Sequence, residues 1–308
     1  MPNAEAGVLA HLRTLAVPVL AAAGLLLAPL DAAPLQEQET GASAVPIAAP
    51  AAASPVAVQP AAAAIEELRV DVGGASVRAL CTGGDAREVV LLHDEHSSAD
   101  AWLPVLESLD GRAGACAYDR IGSGESGPPP QERGWYEFVD ELRRIHLALG
   151  FTPRYVVAGH GVGGLYGRMY VLDRPNDLSG LVLVDPAHED LPQRVRAGMP
   201  RDEWSAWMEA RGRANEDGVV ETRLADRARG SRLPQIRVTV LTAAVRADGD
   251  GWDARFVGEA SRTVHADIVR GLRMGRHIPA SRSGHDVLRD QPRLVADEIF
   301  RVARATRR

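Results

Sequence analysis

The chain has 308 residues, and all 35 of its Lys+Arg positions are arginine. The lysine amine that a Schiff-base enzyme, a pyridoxal phosphate enzyme or a P-loop nucleotide hydrolase requires is therefore missing. Against 41 Asp+Glu the formal net charge is -6, which leaves no basic field to attract nucleic acid or an anionic membrane and turns attention to small molecules and proteins as partners.

A short polar stretch ending at His11 and Arg13 leads into the uncharged run Leu15 to Leu30, followed by Asp31-Ala32-Ala33. This layout predicts a secretory signal peptide over residues 1–32, and hence a secreted or periplasmic protein. The run is interrupted by Pro18, Gly24 and Pro29 and is shorter than the roughly 20 residues of a spanning helix, so membrane attachment is expected only if the segment stays uncleaved. Residues 33–64 are almost entirely Ala, Pro, Val and small polar residues, a composition too poor in burial to fold, and are read as a linker. The remaining residues, 65–308, are long enough for one domain with a sizeable core.

Within it, Leu68 to Asp71 and Ser76 to Leu80 flank Val72-Gly73-Gly74-Ala75 and read as a hairpin. Strands are expected over Glu88 to Leu92 and Ala115 to Tyr118, with a helix around Ala99 to Leu109 between them. Trp135, Phe138, Val139, Leu142, Ile145 and Leu149 recur at helical spacing, and Gly150 is placed to cap that helix in the left-handed conformation. Then come a strand over Arg154 to Ala158, a helix over Leu165 to Leu172 and a strand over Leu181 to Val184. An Arg/Glu/Asp-rich helical insert from about Pro186 to Leu233 follows, carrying Trp204, Trp207 and Met208 on one helix face, read as packing rather than substrate contact. A strand over Ile236 to Leu241, a helix over Val257 to Leu272, a short strand at His277 and a helix opened by Pro292 complete the chain. Strands alternating with helices predict an α/β fold, a mostly parallel eight-stranded sheet with an antiparallel N-terminal hairpin and helices on both faces. In such sheets ligands bind beyond the carboxyl ends of the strands, so the loops that follow strands are the ones to read.

The strand ending at Ala158 runs into Gly159-His160-Gly161-Val162-Gly163-Gly164 and then a helix. This resembles the nucleophile elbow of the α/β-hydrolase fold, G-x-S-x-G, with Gly161 at the serine position. Val90-Leu91-Leu92-His93 with Ser97 and Trp102 is similar to the oxyanion-hole strand and loop of that superfamily. Tyr118-Asp119-Arg120-Ile121-Gly122-Ser123-Gly124-Glu125-Ser126 is similar to its loop after the fourth strand, Leu181 to Asp185 to the strand after the elbow helix, and Ser283-Gly284-His285-Asp286 to the loop of its catalytic histidine. The resemblance covers roughly Leu68 to Arg308, points to the serine and epoxide-hydrolase-like branch, and makes the insert a lid.

The resemblance implies His285 as general base, with Asp185, Asp248 or Asp250 as the acid that orients it. It implies His93, Asp94 and Val162 around the oxyanion hole, where a carboxylate at Asp94, followed by Glu95, opposes oxyanion stabilisation. The expectation is a protein with a hydrolase-like pocket for an apolar or ester-like small molecule, without a cofactor, impaired as a serine hydrolase because Gly161 has no side chain to attack with. The alternative is an active hydrolase, lyase or oxygenase using a His285/Asp dyad. Two further readings stay open. Gly159-x-Gly161-x-x-Gly164 with Asp185 downstream matches a dinucleotide fingerprint, although four strands precede it. A metal could be held by some of His93, Asp94, Glu95, His96, His160, His188 and His285. Finally, the resemblance puts the second strand antiparallel beside the fourth, bringing Cys81 near Cys116, and export would allow a disulfide between them.

Overall fold

Gly73 and Gly74, at φ of 66° and 91°, make the tight turn between Glu66–Val72 (β1) and Ala75–Thr82 (β2), because only glycine enters that region without a steric penalty. A computed structural model of the chain describes residues 64–83, 86–128, 133–211, 228–244 and 252–307, with isolated positions between 212 and 227. The predicted signal peptide, all but the last residue of the predicted linker, and Asp248 and Asp250 lie outside the described residues.

The next strands, Val89–Leu92 (β3), Ala115–Tyr118 (β4), Tyr155–His160 (β5) and Leu178–Val184 (β6), are buried at every position. Such continuous apolar runs, rather than alternating ones, are what strands covered on both faces require. With Arg237–Ala243 (β7) and Gly275–Ala280 (β8) they form one eight-stranded sheet in the order β1-β2-β4-β3-β5-β6-β7-β8. The pairs β1/β2 and β2/β4 are antiparallel and all others parallel, as predicted.

Helices cover the two faces. Trp135–Ala148 (α2) and Val162–Asp173 (α3) seat Phe138, Leu142, Ile145, Leu165 and Met169 in one apolar cluster. Leu103–Leu109 (α1), preceded by a 3-10 turn, and the C-terminal helix from Pro292 to Thr306 seat Trp102, Leu106, Val295, Ile299 and Val302 in the other. The helix α3 begins three residues earlier than its apolar periodicity indicates. Glycines 163 and 164 disfavour a helix by propensity, but tertiary packing overrides it: a Cβ on Gly163 would lie 2.4 Å from the Leu92 carbonyl oxygen.

In the predicted insert, Leu191–Arg196 (α4) and Arg201–Arg211 (α5) are helical. Trp204 and Trp207, half-buried, pack on each other with ring centres 5.5 Å apart, and the Arg196 guanidinium lies 5.7 Å over the Trp204 ring. After β7 follow Trp252–Val269 (α6), β8, and a short helical turn at Val287–Asp290 (α7) that leads into the C-terminal helix (α8).

Two consequences of register matter for the site. Cys81 stands directly opposite Cys116 across β2 and β4, and the two are joined by a disulfide. Along the parallel part, Leu92 pairs with Gly159, His160 with Val184, and Val184 with Leu241. The loops that carry Asp94, Gly161 and Asp185 therefore leave the sheet side by side at its carboxyl edge.

Candidate functional site

At the end of β5 the backbone turns sharply at Gly161, with φ 51° and ψ -121°, a conformation that costs a non-glycine residue on the order of 1–3 kcal/mol. The turn is held from both sides, since the Gly161 carbonyl accepts hydrogen bonds from the amides of Gly164 (3.0 Å) and Ala187 (2.8 Å). Beneath it strand and helix approach closely, and a Cβ on Gly159 would lie 2.3 Å from the Gly163 carbonyl oxygen.

What fills the space above Gly161 comes from another loop. A Cβ built on Gly161 would lie 2.0 Å from Oδ1 and 2.1 Å from Cγ of Asp94, so the Asp94 carboxylate occupies the place a side chain at the turn would take. Oδ1 accepts a hydrogen bond from the Val162 amide (2.7 Å), at the start of α3. Oδ2 accepts one from Nε2 of His285 (2.7 Å). The loop itself is pinned by the buried Arg120, whose guanidinium donates to the carbonyls of His93 (2.7 Å) and Asp94 (3.3 Å) and is paired with the buried Asp217 (2.9 Å).

Nδ1 of His285 donates to Oδ2 of Asp185 at 2.7 Å, and Oδ1 of Asp185 accepts the Ala243 amide at 3.0 Å. Asp185 is buried and sits at φ 39°, an unusual conformation that turns its carboxylate from the end of β6 toward the histidine loop. The backbone carbonyl of His285 accepts Nε2–H of His160 at 2.8 Å, with the two rings 4.6 Å apart. The result is a continuous chain: Asp185, His285, Asp94, Val162 amide.

Its charges are mutually dependent. Hydrogen bonds to Asp185 and then to Asp94 outweigh the desolvation of His285 and push its pKa up to about 10, so the half-exposed ring is an imidazolium at neutral pH. Burial pushes the Asp94 carboxyl upward, but the bond from His285, the neighbouring imidazoles and the Val162 amide together hold it well below the usual carboxylate range. Burial keeps His160 and His93 neutral, the latter also through Arg120.

A family model of the alpha/beta hydrolase fold matches residues 88–217. YqjL of Bacillus subtilis (strain 168) is 25% identical over 213 residues, 67% of this chain and 79% of that one. RutD of Enterobacter cloacae subsp. cloacae is 35% identical over 98 residues, only 32% of this chain and 36% of that one. Among solved structures, a thermophilic esterase from Thermogutta terrifontis superposes with a TM-score of 0.57 at 17% identity, covering 79% of this chain and 100% of that one. The chain has the α/β-hydrolase fold. In an α/β-hydrolase fold the turn after the fifth strand, the loop after the third and the histidine loop face one another, which is the juxtaposition found here.

Of the residues singled out in the sequence, Asp94, Gly161, Val162, Asp185 and His285 come together. His93 does not enter the cluster: its Nδ1 lies 2.7 Å from the Asp94 carbonyl and its Nε2 3.0 Å from Ser123 Oγ, so it serves the loop. His188 faces the Asp190 amide (3.0 Å). Among the described residues Asp94, His160 and His285 bring one ligand-type atom each within 4.8 Å of the others, with the hydrogen bonds above already engaging them. Where the dinucleotide fingerprint would seat a pyrophosphate at the start of α3, the Val162 amide holds Asp94 instead, and Asp185 is turned onto His285. Arg120 is the functional neighbour that sequence reasoning missed. Its signal was an arginine in the loop after β4, a position that faces the loop after β3.

Proposed function

We propose that this α/β-hydrolase-fold protein is impaired as a serine hydrolase and carries in its place a serine-free site built on His285, with Asp185 as the orienting acid and Gly161 at the vacated nucleophile position. The single observation that carries the reading is the Asp94 carboxylate 2.0 Å from a Cβ built at residue 161, because a serine there would have to displace it and because it occupies the Val162 amide that an acyl-transfer oxyanion would use. Asp185 is favoured over Asp248 and Asp250 because its carboxylate already holds the histidine. The ligand expected is a small apolar or ester-like molecule. Export is supported by the Cys81–Cys116 disulfide, which persists in oxidising compartments. Among the described residues no helix is long and apolar enough to cross a membrane.

The test is ester turnover with p-nitrophenyl acetate and butyrate. Wild type and Gly161→Ser should both be inert, the latter because Asp94 blocks the new side chain, whereas Gly161→Ser combined with Asp94→Gly should gain hydrolysis that Asp185→Asn then removes. Ester turnover by wild type that survives Asp94→Asn would refute the reading.

A second reading, retained activity without serine, is favoured by one observation: the histidine is bonded through both ring nitrogens to carboxylates, an ordered proton carrier rather than a loose surface residue.

A further inference from the structure

We infer that Asp94 is a covalent nucleophile, supplied by the loop after β3 instead of by the turn after β5, and that the substrate is a small epoxide or an equally strained cyclic ether opened to a diol. The inference rests on the reading of a serine-free active site and adds the residue and the substrate class.

Three features of the site lead to it. The Asp94 carboxylate stands where a side chain on Gly161 would stand, and contacts both Nε2 of His285, which such a side chain would use, and the Val162 amide, which its oxyanion would use. It is ionised and held at three points, with its backbone fixed by Arg120 and each oxygen bonded, so its position is defined before any substrate arrives. The histidine beside it carries a proton on the nitrogen that faces Asp94 and has a second carboxylate behind it.

Chemistry then narrows the electrophile. A carboxylate that attacks an ester carbonyl forms a mixed anhydride, a species more reactive than the ester it came from. Attack on a saturated carbon forms an ordinary alkyl ester, a usable intermediate. The leaving atom on that carbon must also suit an imidazolium partner, which an oxygen needing a proton does and a halide does not. In the first step an Asp94 oxygen bonds to a ring carbon, the carbon–oxygen bond of the epoxide breaks, and its electron pair takes the proton from Nε2 of His285. The product is a hydroxyalkyl ester on Asp94 beside a neutral imidazole. That esterification removes one of the two carboxylates that keep His285 protonated, leaving it able to act as a base. In the second step His285 takes a proton from water as the water oxygen bonds to the Asp94 carboxyl carbon, with the oxyanion facing the Val162 amide. Collapse breaks the ester bond, the departing alkoxide takes the proton from His285, and the carboxylic acid left on Asp94 passes its own proton to Nε2 of His285, which restores carboxylate and imidazolium. The sum is epoxide plus water to diol.

The experiment is a single turnover of styrene oxide, with cyclohexene oxide alongside, in heavy-oxygen water with enzyme in excess. A covalent Asp94 yields a first-turnover diol without the heavy oxygen and places one heavy oxygen in the Asp94 peptide. Acid quench of wild type within the single turnover should trap an adduct of one substrate mass on that peptide, His285→Gln should slow both its formation and its loss, and Asp94→Asn should slow diol formation on the order of 100-fold or more. A first-turnover diol carrying heavy oxygen, an adduct on another residue, or neither diol nor adduct from either epoxide overturns the inference. If esters are inert and Asp94 stays unmodified, only the nucleophile fails; esters cleaved by wild type and Asp94→Asn alike would instead sink the serine-free reading beneath it.

Discussion

A Cβ added at Gly161 should be far more damaging with Asp94 present than without it. In Gly161→Ala two costs combine. The first is backbone, since φ 51° with ψ -121° costs a non-glycine residue about 1–3 kcal/mol whatever lies nearby. The second is displacement, because the methyl group would sit 2.0 to 2.3 Å from three atoms of the Asp94 carboxylate, which must then leave both the Val162 amide and Nε2 of His285. A hydrogen bond to a charged group is worth about 1.5–3 kcal/mol, the Val162 bond lying at the bottom of that range because the displaced carboxylate regains water, and the half-exposed imidazole end adds only about 0.5 kcal/mol. Gly161→Ala should therefore cost about 3–5 kcal/mol in the wild-type background and about 1–3 kcal/mol in Asp94→Ala, a coupling of about 2 kcal/mol. Urea denaturation of the four proteins of this cycle, followed by far-ultraviolet circular dichroism with the disulfide intact, measures it. If the two substitutions add to within about 0.5 kcal/mol, the carboxylate does not occupy the turn, and the reasoning about the site fails with it.

His285 should remain doubly protonated well above its ordinary range. Nitrogen-15 spectra of the ring should show a midpoint above about 8 even after allowing for solvent screening of a half-exposed group, and Asp94→Asn should lower it; a wild-type midpoint near 6.5 would contradict the two-carboxylate clamp. Because the folded-state value is raised, the contribution of His285 to stability is full below about 6.5 and lost as pH rises through about 10. The depressed Asp94 value works the other way, its contribution being present above the ordinary carboxylate range and lost as pH falls below it. Denaturation midpoints should thus fall at both ends. The disulfide closes a separation of 35 residues, which loop-closure entropy values at about 4 kcal/mol, with about 2–5 kcal/mol the range met in practice. Cys81→Ala/Cys116→Ala should lose that much in urea denaturation; a loss below about 1 kcal/mol would mean that the β2–β4 pairing needs no tether.

The fold was legible because its signals are local and ordered. The glycine pair at 73 and 74, the uninterrupted apolar runs at β3 to β6 and the helical spacing from Trp135 to Leu149 each follow from sequence alone. Their order fixes which loops share the carboxyl edge. The placing of Gly161 and His285 at the sheet's carboxyl edge was legible for the same reason, as each sits in a motif a few residues long. The acid was not, since Asp185, Asp248 and Asp250 all stand after strands. Only the turned backbone at Asp185, which aims its carboxylate at the histidine loop, favours one of them. Asp94 was legible as a residue, but the role inferred for it above was not. From sequence it is a negative charge in an oxyanion loop and therefore a defect. Whether such a charge opposes an oxyanion or replaces the nucleophile depends on a reach of a few ångströms between loops 191 residues apart along the chain from His285, and no local pattern encodes that.

The relation between Gly161 and Asp94 also separates decay of a site from its rebuilding. Loss of a serine by itself would leave the Val162 amide and the histidine facing solvent, with no reason for a neighbouring loop to acquire a carboxylate of the right length. Acquisition of Asp94 while a side chain remained at 161 would force two groups into one volume. Each residue is thus tolerable chiefly in the presence of the other, and together they leave the amide bonded, the imidazolium paired on both sides and the strained turn relieved by glycine. A site in decay has no need to satisfy every one of these groups at once. If Asp94 is the nucleophile, as inferred above, the site must do so, because catalysis then requires that carboxylate to stand where a side chain at residue 161 would stand.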